Sequence, residues 1–233
     1  ENLITALSYG SLEELVEVVS RTVPRGNVVI PAFAVGRTQE LLYHFAQLAT
    51  QGRLAPMEIF VDSPMAVTAT AITLKHFAAF DAETRQLLGS PERLAQWRQL
   101  HFISDVEDSI KLNRIKSGAV ILSASGMCDA GRVLHHLHNN LGRAECAVLI
   151  CGFQAAGSLG RRLVDGEKHV RLMGDDITVR ASVHTLGGFS AHADQNALLD
   201  WAAAFTQPPR QTFVVHGEAH AANALSERLR EVP

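Results

Sequence analysis

Short apolar runs that end in small-residue turns and open into helices recur along most of this chain, and this alternation restricts the fold more than any other feature. Residues 27–31, 57–62, 101–103, 118–123 and 147–151 read as strands of about five residues, too short and too β-branched for buried helices. Helical stretches are expected at 11–23, 37–49, 64–80, 85–99, 106–115 and 131–139, with one more opening at 154–158. Ser63-Pro64 supplies a cap and a first helical residue, and Pro24-Arg25-Gly26 a stop. Strands alternating with helices imply right-handed crossovers and a parallel sheet covered on both faces, an α/β fold. From residue 178 the pattern changes to a long alternating strand (178–186), a helix (194–205), a strand (212–215) and a last helix, so a domain boundary is expected there.

Composition narrows the function. A formal net charge of -3, with 47% hydrophobic and 19% charged residues, excludes a polycationic nucleic-acid coat. Any nucleic acid must be held in a local groove. Cys128, Cys146 and Cys151 show no CxxC spacing and read as reduced core thiols of a cytoplasmic protein. No apolar run reaches the roughly 18 residues of a membrane span, and no signal-peptide pattern is visible. GxGxxG and GxxxxGK[ST] do not occur, so a nucleotide-binding α/β domain would have to grip phosphate by other loops.

Such loops are present. In a parallel sheet the ligand edge lies at the carboxyl ends of the strands, where helix N-termini offer unpaired N–H groups. Arg37 with Thr38, Ser63, Ser125 with Gly126, and Gly157 with Ser158 all fall at such ends. A row of them suits the phosphates of an extended strand; each alone is equally an ordinary cap. Arg37, Arg132 and Arg161-Arg162 offer countercharge. Few aromatics, Phe33 and Phe153 among them, are placed for stacking, so backbone recognition fits better than base reading. His135, His136 and His138 lack a carboxylate cage and read as surface or groove residues.

The sharpest signal is a pair of corners, Gly187-Gly188-Phe189-Ser190-Ala191-His192-Ala193-Asp194 and Val214-Val215-His216-Gly217-Glu218. Each histidine stands where a β-type run gives way to small residues and a helix begins, with a carboxylate two residues on. These corners, with Ile30-Pro31-Ala32-Phe33-Ala34-Val35-Gly36-Arg37-Thr38-Gln39-Glu40, Val61-Asp62-Ser63-Pro64-Met65-Ala66, Ser123-Ala124-Ser125-Gly126-Met127 and Gly131-Arg132-Val133-Leu134-His135-His136-Leu137, resemble the β-CASP branch of the metallo-β-lactamase superfamily over nearly the whole chain.

The resemblance implies an α/β fold with residues 1–10 ending an upstream metallo-β-lactamase part, 11–177 forming a β-CASP domain, and 178–233 a returning segment of the αββα fold. It implies a zinc-dependent ribonuclease with two zinc ions per complete site, whose bound water attacks phosphorus. His216 matches a zinc ligand, and His192 the histidine beside the scissile phosphate. Asp194 and Glu218 would steady those imidazoles from behind, and Arg37, Thr38, Ser63, Ser125, Gly126, Arg132, Gly157 and Ser190 would hold substrate. A histidine at 216 favours RNA over DNA, making single-stranded RNA the expected partner, with no membrane and a homodimer left open. The family's His-x-His-x-Asp-His run is absent, and Ala6 falls where the family has an acid. The chain alone is therefore expected to lack most zinc ligands and to be inactive. A non-catalytic RNA-binding or scaffolding relative is the alternative.

Overall fold

In the computed structural model, which describes residues 9–89, 99–188, 193–215 and 217–231, the expected apolar runs become neighbours in one sheet. Val28–Pro31 (β1), Glu58–Asp62 (β2), Leu100–Ile103 (β3), Ala119–Ser123 (β4) and Ala147–Ile150 (β5) pair in parallel, and Ser182–Thr185 (β8) joins β5. The order is β3-β2-β4-β1-β5-β8, with Val28 opposite both Val120 and Ala147.

Helices cover both faces, and β1 shows why a run of consecutive apolar residues was needed. Val28 and Ile30 face a core built with Leu15, Val18 and Val19 of α1 (Tyr9–Thr22) and Leu41, Phe45 and Leu48 of α2 (Arg37–Thr50). Val29 points the other way, to Val133, Leu137, Leu159 and Leu163 of the helices Val133–Asn140 and Leu159–Val164. A side-chain period of two between two dry layers requires an apolar residue at every position. Each such buried Leu or Phe stabilises the fold by roughly 1.5–3 kcal/mol.

Several helix starts follow from local chemistry. Ser63 Oγ accepts from Ala66 N–H (3.3 Å) ahead of Pro64–Lys75 (α3), and Ser158 Oγ from Arg161 N–H (3.1 Å) ahead of Leu159–Val164. The helix expected at 85–99 begins instead at Ala82, because Asp81 Oδ1 caps Thr84 N–H at 2.7 Å, and it stops at Leu88 before Gly89 at φ 71°; residues 90–98 lie outside the described residues. The helix expected to reach residue 80 ends at Lys75 and is followed by a 3₁₀ turn, Phe77–Ala79.

The long strand expected at 178–186 is broken: Thr178 ends one strand, and Ser182–Thr185 (β8) is another. His169–Leu172 (β6) and Asp175–Thr178 (β7) form an antiparallel hairpin around Met173 and Gly174, whose φ angles are 56° and 95°. Arg180 and Ala181 both direct their N–H groups to Leu141 O, which interrupts the ladder before β8. Residues 182–185, assigned above to a second domain, extend the parallel sheet, and the chain divides into compact units at Glu1–Phe189 and Ser190–Pro233.

Among the described residues the second unit holds two helices, Gln195–Ala203 and Ala219–Leu229. Trp201 and Phe205 pack edge to face at 4.9 Å. The strand expected at 212–215 has no ladder partner among the described residues. No helix among the described residues is long and apolar enough to cross a membrane.

Candidate nucleic-acid interface

The connection after β1 runs past β4 to reach β2, whereas the connection after β4 runs past β1 to reach β5. Adjacent strands whose chains depart in opposite directions leave a crevice outside their carboxyl ends, the position at which parallel α/β sheets receive ligands. Hollows lined by residues 54–57, 117–118, 146 and 182 lie at the amino ends of the strands. They open away from this crevice.

Three loops meet there. Ala32 N–H bonds Ser123 O at 3.0 Å as the first two leave the sheet. Gly126 lies against Phe33 so closely that a Cβ would stand 3.1 Å from its ring and 3.2 Å from its backbone nitrogen. Gln154, buried in the loop after β5, donates Nε2–H to Gly126 O at 3.0 Å. Gly160 N–H bonds Met127 O (3.1 Å), and Leu159 N–H bonds Asp129 Oδ1 (3.0 Å). Gly131, at φ 84°, would place a Cβ 2.4 Å from Ala124 O, so only glycine closes this turn without strain.

Beneath the crevice lies a charged cluster that sequence reasoning missed. Asp62 at the end of β2 is fully buried. Its Oδ1 accepts from Arg132 Nη1 (2.7 Å); its Oδ2 accepts from Ser109 Oγ (2.6 Å) and faces His136 Nε2 at 2.6 Å. Arg132 also donates to Ser104 O at 2.7 Å. Burial pushes the Asp62 carboxyl up, but the hydrogen bonds from His136, Ser109 and Arg132 outweigh it and hold it below its ordinary value.

The residues nominated for substrate therefore have distinct local duties. Thr38 is buried and donates Oγ1–H to Phe33 O at 2.8 Å. Arg37 is ion-paired with Glu40, and burial pushes the Glu40 carboxyl up more than Arg37 draws it down. Ser63 caps α3, and Arg132 serves Asp62. Gly157, at φ 87°, precedes the Ser158 cap. Arg161 and Arg162 pair with Asp165 and Glu167. Ser125 and Gly126 stand in the crevice, and among the described residues Ser125 Oγ is buried with no hydrogen-bond partner. His138 pairs with Asp175 at 2.8 Å.

His192, His216 and Ser190 lie outside the described residues. Asp194 Oδ1 accepts from Ala197 N–H at 2.8 Å as a helix cap, and Glu218 stands at the start of the last helix without capping it. Among the described residues no three His, Cys, Asp or Glu side chains converge as a metal-ligand set. The described donors do not by themselves fit a zinc site.

Residues 38–163 match the Beta-Casp domain, and residues 176–232 match the Zn-dependent metallo-hydrolase RNA specificity domain. The chain is 37% identical over 221 residues to ribonuclease TTHA0252 of Thermus thermophilus, covering 94% of this chain and 50% of that protein. It is 30% identical over 255 residues to transcription termination factor FttA of Thermococcus kodakarensis, covering 99% of this chain and 38% of the relative. An RNase J-like protein of Methanocaldococcus jannaschii is 30% identical over 208 residues, 89% of this chain and 47% of its own. The chain thus spans half or less of the length of these relatives.

Proposed function

We propose, for a chain that belongs to the Beta-Casp family, that this polypeptide is the RNA-clamping portion of a metal-dependent ribonuclease. The observation that carries this is the crevice at the carboxyl ends of β4 and β1, where glycine-lined loops meet and the buried Ser125 hydroxyl has no hydrogen-bond partner among the described residues. Support from outside the chain comes from relatives described as ribonuclease and RNase J-like, and from the RNA specificity match.

In this reading the Ser125 hydroxyl and the Gly126 backbone contact phosphate, while Thr38, Ser63 and Arg132 keep the loops in place. His216 is taken as a metal ligand and His192 as the group beside the scissile phosphate, with Ser190 at the substrate and Asp194 and Glu218 behind the corners. Residues 178–233 are taken as the returning metallo-hydrolase segment. Zinc enters through the family alone. A cytoplasmic setting accords with three buried, reduced thiols.

The test is fluorescence anisotropy of this chain with a labelled single-stranded RNA and with the duplex of the same sequence, followed by a cleavage assay with added zinc. Single-stranded binding without turnover is expected. Absence of binding refutes the clamp, and robust zinc-dependent cutting by this chain alone refutes its assignment as a portion. Sedimentation of the same sample distinguishes monomer from homodimer.

A further inference from the structure

We infer that the rings of Phe33 and Phe153 are stacking surfaces for unpaired nucleobases, an inference that rests on the RNA reading above and specifies what the crevice grips besides phosphate. Because β4, β1 and β5 are consecutive in the sheet, the loops that carry Gly126, Phe33 and Phe153 are neighbours. Phe33 is 52% exposed and Phe153 66%, at the end of the central strands β4, β1 and β5, whose residues are all buried. Both are tied to the same glycine: the Phe33 ring lies on Gly126, and Gln154, the residue after Phe153, bonds the Gly126 carbonyl.

The backbones that carry these rings are held. Phe33 O accepts from Thr38 N–H (3.3 Å) and Thr38 Oγ1–H (2.8 Å); Phe153 O accepts from Gln154 Nε2–H (3.2 Å). An aromatic side chain on fixed backbone offers a flat apolar face at little ordering cost. Electrostatics leaves room for this contribution. The arginines at this rim, Arg37 and Arg132, are matched by Glu40 and Asp62, so net positive charge does not supply the grip. Base–aromatic stacking works without it and tolerates any sequence. A flat base between polar glycine-rich turns fits two separate rings better than a peptide would, since helices and strands dock in continuous grooves or along strand edges.

The test uses the whole chain with a fluorescein-labelled twelve-nucleotide oligoadenylate and an abasic ribose-phosphate strand of equal length. Phe33→Leu and Phe153→Leu keep apolar bulk without the π face, Phe153→Trp restores one, and Val35→Ala removes an exposed aliphatic group at the same rim. Each Leu variant is expected to weaken oligoadenylate binding roughly 5- to 150-fold, with the abasic strand changing less than about twofold. Phe153→Trp and Val35→Ala should bind like the parent. Equal losses on both strands, or a base-dependent loss in Val35→Ala, would overturn the stacking role; so would a parent chain that binds both strands alike. A parent that binds neither strand sinks the RNA reading itself, a result distinguishable from the others.

Discussion

Replacing Asp62 by alanine removes the carboxylate that faces both Arg132 and His136. His136 is fully buried, and the Arg132 side chain is 18% exposed. Stripping a buried pair of one partner costs about 3–5 kcal/mol, because the remaining polar groups keep their desolvation and lose their compensation. For a chain of this size that is a fall in Tm of roughly 6–20 °C. Asp62→Asn keeps the volume but not the charge and should lose most of the same stability. The pH dependence has a definite sign. The Asp62 carboxyl sits below its ordinary value of 3.8 when folded, so the unfolded chain binds the proton more readily. The stabilisation is complete above that ordinary value and disappears as pH falls through the depressed folded value. Urea titrations followed by far-UV circular dichroism should show the parent-to-Asn gap constant near pH 6 and narrowing below about pH 4. A gap under about 1 kcal/mol at pH 7, or one that widens on acidification, refutes the role given to this cluster.

Gly131→Ala combines a left-handed backbone with a Cβ 2.4 Å from Ala124 O, and should cost roughly 2–4 kcal/mol in urea. Gly157→Ala has a similar φ in open space and should cost only about 1–2 kcal/mol, so equal losses would discount the clash. Burial pushes the Cys128 and Cys151 thiols up to about 12; neither should react with a thiol reagent at pH 8 until the chain unfolds, and fast labelling in the native state would contradict their burial. If only Arg37 and Arg132 supply charge at the crevice, log K for single-stranded RNA against log salt should slope no more steeply than about −1.4; a much steeper slope places the RNA elsewhere.

The βα alternation and the caps at Ser63 and Ser158 could be read directly, because each depends on residues a few positions apart. Asp62 could not. Its partners Ser109, Arg132 and His136 lie 47, 70 and 74 residues away and meet it only after the sheet has formed. A signal was present, since a carboxylate ends an otherwise apolar strand and His136 shares a helix face with Val133 and Leu137. Setting the three nearby histidines aside as polar surface hid it. The β6–β7 hairpin escaped because Met173 stands where Asn or Asp would announce the turn. The membership of β8 was equally hidden, because parallel pairing leaves no local mark. Thr38 and Arg132 were recognised as rim residues, but position at a strand end does not reveal whether a side chain faces outward to a ligand or inward to its own loop.

The strand order also constrains how the chain can be made. Val28 pairs with Val120 on one side and Ala147 on the other, so this apolar strand leaves the ribosome long before either neighbour exists. At about 5–20 residues per second that is a delay of several seconds with both ladder edges open, the interval in which nascent chains aggregate. Ribosome-stalled chains ending near residue 115 should be protease-sensitive and depend on a holdase, and chains extended past β5 should become resistant. Early resistance in the shorter chains would mean that β1 finds a temporary mate among the helices around it.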